Sequence, residues 1–245
     1  MYTKVDELIN TFIGEISEKL REFTIAYAMH SAGYDFIQNM NDGQEGISLW
    51  LGKNVYTERI RIPIVKAYSE RFPFFLTEVF QNQFVQIFND YLNALFDELI
   101  TLHFSKKRQF LELKTQVIKV DFSNMGNLIS EIRKSLLEDF KFKDHKERLN
   151  LINRVFNPDL SAEEYLMIVK KHIHIRNAVQ HRNGYVDGYI LEKLGTNKIV
   201  LLDVIGKDKC FALGEKMLLF PTELEKFKKS LIMLSQTWLN NIQKP

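Results

Sequence analysis

Residues 74–103 constrain the fold most, because they run for thirty positions without a glycine or a proline. Within them, apolar side chains recur at steps of three and four residues, the spacing of one face of an α-helix. This apolar stripe consists of Phe84, Phe88, Tyr91, Leu95, Phe96, Leu99 and Leu102. A helix with such a stripe has to be covered by other helices, so we expect a helical core built around it.

Several other stretches repeat this helical spacing. We predict helices at 3–29, 127–140, 145–156, from a capping box at 161–164 to residue 181, and after a second capping box at 222–225. The last of these carries Leu224, Phe227, Leu231, Leu234 and Trp238 on one face. Between the last two helices, residues 198–203 and 217–220 are predicted to be short strands. The predicted fold class is mainly α, a helical bundle with a small β-hairpin before the C-terminal helix.

The predicted N-terminal helix has a narrow apolar seam. Its members are Ile9, Ile13, Ile16, Leu20, Phe23 and Tyr27. The seam packs on its own domain, or it pairs with another chain, because the spacing is also that of a heptad. Gly33, residues 41–43 and Gly46 then interrupt the periodicity over 31–57. We therefore predict that residues 1–57 are a helix and an irregular connection packed on or dimerising the bundle, and that 58–245 are the helical domain.

Composition narrows the class of protein. Of the 245 residues 45% are hydrophobic, and the formal net charge is +2. A balance this close to neutral excludes wrapping of duplex DNA by bulk charge, so any nucleic-acid contact has to be local. The single cysteine, Cys210, excludes an internal disulfide and fits a reducing cytoplasm. No apolar run approaches the roughly 18 residues of a membrane span, so a cytoplasmic protein without a membrane partner is expected.

Three of the six histidines fall within ten residues, at His172, His174 and His181. On a helix the first two point about 160° apart. No acidic residue sits at a matching position within these turns, and zinc sites use three or more converging ligands. No metal and no cofactor are therefore predicted. His172 and His174 are interpreted as structural residues or residues of the polar face, because neither has a catalytic partner at helical spacing.

The third histidine closes a more informative run, Arg176-Asn177-Ala-Val-Gln-His181, followed by Arg-Asn-Gly. This run resembles the RNxxxHxxG signature of HEPN-superfamily ribonucleases, which occur in toxin–antitoxin, phage-defence and CRISPR effector proteins. The resemblance covers roughly residues 74–242, since a variable segment and a closing amphipathic helix also follow the motif. It implies a HEPN-like bundle with Arg176, Asn177 and His181 as catalytic residues.

The resemblance also implies an activity and partners. These are metal-independent endoribonuclease cleavage that leaves a 2′,3′-cyclic phosphate and a 5′-hydroxyl, and a composite site in a dimer. A toxin or antiphage effector with an antitoxin or defence-system partner is implied as well. Some HEPN toxins carry a tyrosine two residues after the histidine, which a partner nucleotidyltransferase modifies. Asn183 occupies that position here, so that mode of control is not expected.

The residue types suit this chemistry. RNA supplies its own nucleophile, the 2′-hydroxyl, so cleavage without metal needs a base, an acid and a cation for the phosphate. Histidine can serve as base or acid near neutral pH, and arginine offers a planar fork to two phosphate oxygens. On a helix Asn177 and His181 share a face, whereas Arg176 and His181 differ by about 140°. One motif supplies one histidine, so a two-fold homodimer is predicted to supply the second.

Substrate contacts are predicted from the basic residues. Arg182 is the best candidate to hold single-stranded RNA, and Lys106, Lys107, Arg108 and the run at 141–143 are weaker ones. The weaker runs are equally well interpreted as solvated helix ends. Two other functions remain open. The chain could be a non-catalytic HEPN module that binds a nucleotide, RNA or a protein partner, since a fold alone does not give function. It could also be a helical adaptor that recruits a partner through its N-terminal seam.

Overall fold

A computed structural model describes residues 3–43, 46–48, 50–53, 55–107, 109–113, 128–157 and 163–242. The described residues form seven α-helices, two short strand pairs and one 3₁₀ turn. The helices are Thr3–Gln38 (α1), Ile62–Phe104 (α2), Leu128–Phe142 (α3), His145–Phe156 (α4), Glu163–Arg182 (α5), Gly188–Leu194 (α6) and Pro221–Ile242 (α7). The strands are Trp50–Gly52 (β1), Val55–Tyr56 (β2), Ile199–Leu202 (β3) and Asp208–Phe211 (β4). The mainly helical fold with a hairpin before the last helix is confirmed.

Helix α2 is the central element of the bundle, and every member of its predicted stripe is buried. It begins at Ile62 and not at residue 74, because it continues through Pro73. Proline removes one backbone donor and strains the preceding turn, yet a helix that is packed along its length can accommodate it. A second proline, Pro63, lies in the first turn, where the amide hydrogen would have no partner within the helix.

Helix α1 packs along α2 and is longer than predicted. Gly33 does not end it, and the helix continues to Gln38. The seam residues are buried or partly buried in the core formed with α2 and α7. Phe12 stacks on Tyr91 with ring centroids 4.2 Å apart. Because its own chain covers it, the seam is not free to recruit a partner.

Helices α3, α4 and α7 complete the main core. The predicted apolar face of α7 is buried along its whole length. Trp238 stacks on Phe156 of α4 and donates to Asn153 Oδ1 at 3.0 Å. Phe140 of α3 stacks on Phe96 of α2 at 4.0 Å. The predicted helix at 145–156 is confirmed, and Asp144 caps it by accepting from the Glu147 amide at 2.7 Å.

The hairpin differs from the prediction in its second strand. β3 pairs antiparallel with β4, from Ile199 opposite Phe211 to Leu202 opposite Asp208. Residues 217–220 form no strand, although Met217 and Leu219 are buried beneath the hairpin. Buried and partly buried residues alternate here as they do in a strand, although the hydrogen bonds of a sheet are not formed. This alternation explains why the apolar pattern predicted a strand at 217–220.

The predicted capping box at 222–225 is also not formed. Helix α7 begins one residue before Thr222, and the Phe220 carbonyl accepts the amides of Glu223 and Leu224. The Thr222 hydroxyl donates instead to the Asp203 carbonyl after β3. The other predicted capping box, at 161–164, begins outside the described residues.

Two hydrophobic cores result. The large core holds α1, α2, α3, α4 and α7, and it includes Leu166, Val169 and Ile173 of α5. A smaller core lies under the hairpin and includes Ile175 and Ala178 of α5. Helix α5 therefore belongs to both cores, and its final turns lie over the smaller one. None of the described helices combines the length and the apolar character needed to cross a bilayer.

Candidate functional site

The RNAVQH run occupies the last two turns of α5, as predicted. The helix ends in two residues with positive φ, Asn183 at 52° and Gly184 at 79°. The sequence indicated only Gly184 as the left-handed residue, and asparagine is the other residue type that adopts this conformation readily. The Gly184 amide donates to the Ala178 carbonyl at 3.1 Å, and its carbonyl accepts from the Met217 amide at 2.9 Å. The end of the motif is thus fixed to the segment that precedes α7.

Arg176 is half-buried and keeps most of its hydrogen-bonding capacity unused. Its Nη1 donates to Asn177 Oδ1 at 3.1 Å, and its Nε is buried with no hydrogen-bond partner among the described residues. No carboxylate among the described residues lies within 4.0 Å of its guanidinium. Burial lowers the pKa of Arg176 from its ordinary value. An anion with two oxygens would satisfy this unpaired fork.

His181 lies one turn beyond Asn177 on the same side of α5, and it is exposed. No described residue makes a hydrogen bond or an ion pair with its imidazole. Arg176 and His181 are five residues apart, so their Cα–Cβ directions differ by about 140°. In one copy of the chain, the cationic Arg176 and the proton carrier His181 therefore leave the helix in different directions.

His172 is buried in the middle of α5, so it is neither a helix-end residue nor a residue of the polar face, as the sequence had suggested. Only 1% of it is exposed. It stacks on Phe227 at 4.2 Å, approaches Gln81 Nε2 through Nδ1 at 3.2 Å and Glu223 Oε1 through Nε2 at 3.1 Å. Burial lowers the pKa of His172 to about 4, so its imidazole is neutral at pH 7. With Nδ1 accepting from Gln81, its proton is on Nε2 and is donated to Glu223.

Glu223 is the centre of this buried cluster and was missed by the sequence analysis. It is 0% exposed. It accepts from Lys171 Nζ at 2.6 Å, from His172 Nε2 and from the Leu202 amide at 2.6 Å. Burial tends to raise the pKa of Glu223, but its bonds to His172 and Lys171 overcome this and hold the pKa at about 2. A glutamate in the first turn of a helix gave no signal that it would be buried.

The second residue that the sequence did not indicate is His145, the first residue of α4. It is half-buried, and its Nδ1 is inaccessible to solvent and has no hydrogen-bond partner within the part of the chain that the structure describes. Burial and then the charges of Arg148 and Arg176 lower the pKa of His145 to about 4. His174, whose pKa burial also lowers, is a further charge near it. The structure thus brings α4 beside Arg176, which no spacing within α5 could have predicted.

Arg182 is engaged within its own chain. Its guanidinium forms an ion pair with Asp187 and lies 4.9 Å from the centre of the Tyr189 ring. Asp187 also caps α6 by accepting from the Ile190 amide at 2.9 Å. Arg182 therefore stabilises the turn after the motif, and it can reach a phosphate only by sharing Asp187 or releasing it.

The weaker basic candidates lie elsewhere. Lys106 and Lys107 are exposed just beyond the end of α2, and Arg108 lies outside the described residues. Gln81 of α2 contacts His172. From that contact Lys106 is about 37 Å away along α2 and His181 about 14 Å along α5. With the helix axes roughly 8–10 Å apart at the contact, more than about 10 Å separates Lys106 from His181. The Lys141–Lys143 run ends α3, where Phe142 is 89% exposed.

The described part of the chain contains no group of three or more histidine, cysteine, aspartate or glutamate side chains that could hold a metal ion. Comparison of the chain with known protein families, curated proteins and solved structures finds no match.

Proposed function

We propose that the protein is a metal-independent endoribonuclease of the HEPN type that cleaves single-stranded RNA. Arg176, Asn177 and His181 from two copies of the chain would form its site. The RNxxxH run supports the proposal, and toxins and antiphage effectors are the kind of protein in which that signature occurs. An antitoxin or defence-system partner is part of the same proposal.

The observation that carries the proposal is the half-buried guanidinium of Arg176. Three basic residues of α5 have acidic partners: Lys171 and His172 are bonded to buried Glu223, and Arg182 is paired with Asp187. The other four, Lys170, His174, Arg176 and His181, have no acidic partner among the described residues. Within the described part of α5, a buried nitrogen without a hydrogen-bond partner is found at Arg176 alone. A protein that used Arg176 only for packing would leave its buried Nε unsatisfied, which costs about 1–3 kcal/mol. A phosphate could satisfy it.

The chemistry follows from the side chains. One His181 would take the proton from the 2′-hydroxyl, whose oxygen attacks the adjacent phosphorus. The histidine of the second copy would protonate the departing 5′-oxygen. The Arg176 guanidinium would neutralise the crowded phosphate, and Asn177, bonded to it, would orient the fork. Phosphate transfer to the 2′-oxygen produces the cyclic phosphate, and no metal is required.

The test is cleavage of single-stranded RNA by the purified chain in the presence of EDTA. We expect His181→Ala to lower the rate by about 100-fold or more, the range for loss of a general acid or base. The matched control is Gln180→Ala, at the exposed neighbouring position of the same helix turn, which should cleave like the wild type. The product should carry a 2′,3′-cyclic phosphate.

The outcomes separate the alternatives. Cleavage that requires added metal would contradict the mechanism, and equal cleavage by wild type and His181→Ala would assign the activity to a contaminant. RNA or nucleotide binding without cleavage, weakened by Arg176→Ala, would favour the non-catalytic HEPN module. In the host, induced wild type should slow growth, whereas Arg176→Ala and His181→Ala should not.

A further inference from the structure

A large cleft among the described residues lies near the end of the motif. It is a cleft of about 1160 Å³ between the C-terminal half of α1, the segments that flank the β1–β2 pair and the N-terminal half of α2. Its walls are mainly aliphatic and aromatic. One wall is a ridge on α2 formed by Ile64, Tyr68, Phe72 and Phe75, which are spaced as one helix face. We call this ridge, the cleft and the β1–β2 pair the cleft face.

The apolar side chains of the cleft face are unusually exposed. Tyr68 is 71% exposed and Phe75 60% exposed. The β1–β2 pair adds Trp50, at 67%, and Tyr56, at 61%. With Ile60, Ile64 and Phe72, and at about 200 Å² for each side chain, the exposed area is roughly 770 Å². Soluble monomers rarely expose a continuous apolar patch of more than a few hundred Å², whereas each partner in a standard interface buries about 800 Å².

The cleft face also carries charges of both signs without close partners. Arg71 and Glu78 lie on α2, and Lys216 lies at the rim. None of the three forms an ion pair within 4.0 Å in the part of the chain that the structure describes. Burial raises the pKa of Glu78, and the more distant charge of Lys216 only opposes that rise. A half-buried carboxylate in an apolar cleft is stabilised when a cation reaches it.

We propose that a second copy of this chain covers the cleft face and that this pairing completes the RNA-cleaving site. The two α2 helices would cross antiparallel about a two-fold axis between Arg71 and Glu78. Arg71 of each copy then faces Glu78 of the other, and the two Phe75 rings meet near the axis. The second half of the proposal rests on the proposed function, which needs two motif ends.

A second copy fits better than an unrelated partner because the face is complementary to itself. A two-fold interface requires that if one residue contacts another, the reverse contact is made as well. The face has both a ridge and a cleft, and both an arginine and a glutamate two helix turns apart. It also adjoins the motif, since Lys216 pairs with Tyr185, four residues beyond His181, in an isolated antiparallel bridge.

The first experiment measures the mass of the full chain by sedimentation over a range of concentrations. We expect a dimer for the wild type and a dimer at least about 100-fold weaker for Phe75→Glu, because two carboxylates would meet at an apolar axis. The matched control is Phe142→Glu, on the surface of α3 and 89% exposed, which should leave the dimer intact. Circular dichroism should show the same helix content for all three proteins.

The second experiment tests the two-fold pairing directly. Arg71→Glu and Glu78→Arg should each weaken the dimer, because like charges then face each other. Mixing these two variants should restore dimers, since each copy then offers the charge that the other lacks. A variant that weakened the dimer only by misfolding would not be rescued by mixing.

The interface and the nuclease can fail separately. A monomeric wild type, equal dimerisation of Phe75→Glu and Phe142→Glu, or no rescue on mixing would overturn the interface. A monomeric wild type that binds an apolar dye, with binding lost in Phe75→Glu, would assign the cleft to another ligand. If monomeric Phe75→Glu still cleaves RNA at the wild-type rate, pairing does not complete the site and the two-copy site is wrong, although the ribonuclease activity itself stands. If the wild type forms this dimer and does not cleave RNA, the interface stands and the proposed function fails.

Discussion

Replacing Glu223 by alanine should destabilise the protein more than any exposed charge change. Glu223 is 0% exposed. It accepts from Lys171 Nζ and from the Leu202 amide, both at 2.6 Å, and from His172 at 3.1 Å. Alanine would leave these three donors without their acceptor. Removing one member of a buried charge pair costs about 3–5 kcal/mol. Lys171, whose side chain is 18% exposed, can reach water, so we expect a value towards the lower end.

The measurement is the midpoint of urea and thermal unfolding, followed by circular dichroism. For a chain of this length, 3–5 kcal/mol corresponds to a lower melting temperature by about 10 °C. Glu223→Gln keeps the volume but turns one acceptor into a donor, so it should fall between wild type and alanine, at about 2 kcal/mol. The control is Glu225→Ala in the same helix, where a 57% exposed side chain lies 3.6 Å from Lys228. It should change stability by less than about 0.5 kcal/mol.

A Glu223→Ala protein within about 1 kcal/mol of Glu225→Ala would refute this reasoning. It would mean that water replaces the carboxylate without loss and that the cluster does not join the hairpin to the bundle.

Two further predictions concern acid and backbone strain. The pKa values of His145 and His172 lie near 4, below the value of about 6.5 in an unfolded chain. The unfolded chain therefore binds more protons between about pH 6.5 and pH 4, and stability falls as pH falls through that window. We expect a loss of about 3–4 kcal/mol from pH 7 to 5 in urea unfolding, nearly 2 kcal/mol for each histidine. Equal stability at the two pH values would contradict this reasoning. Gly46 has a φ of 116°, and a Cβ there would lie 2.4 Å from the Ile60 carbonyl oxygen. Gly46→Ala should therefore open the Ile47–Ile60 bridge and lower the free energy of unfolding by more than about 2 kcal/mol. Gly52→Ala, with a φ of 98° and nothing within 4 Å of the added Cβ, should lose only about 1 kcal/mol, and similar losses for both would show that the contact with Ile60 is unimportant.

The sequence correctly predicted the elements that depend on local residue spacing. It failed where packing between distant segments determines the type or the length of an element. The stripe of α2 and the face of α7 were found because they repeat every three or four residues. The strand at 217–220 was wrong because burial against a neighbouring hairpin produces the same alternation as a sheet. The sequence predicts an interruption at Gly33 and a helix that starts at residue 74, directly after Pro73. Packing between α1 and α2 outweighs the unfavourable helix propensity of these two residues, about 1 kcal/mol for glycine and 3 kcal/mol for proline.

The site residues also divide into those that the sequence indicated and those that only the structure reveals. Arg176, Asn177 and His181 were indicated by their order in the chain, and the two residues with positive φ after them agree with a helix end. Glu223 and His145 gave no signal, because what makes them notable is burial beside α5. Only the three-dimensional arrangement brings them there.

The two cores on which α5 rests imply that the motif can be lost before the protein unfolds. Folded proteins open in cooperative units of unequal stability, and a small core under a hairpin opens more easily than a large helical one. Ile175 and Ala178 hold the last turns of α5 on the small core, whereas Ile173 belongs to the large one. Amide hydrogen exchange should therefore divide α5 near Ile173, with slow exchange before it and faster, shared exchange in the motif and the hairpin. The lifetime of the site is then set by the opening of about fifty residues and not by the global stability of the bundle.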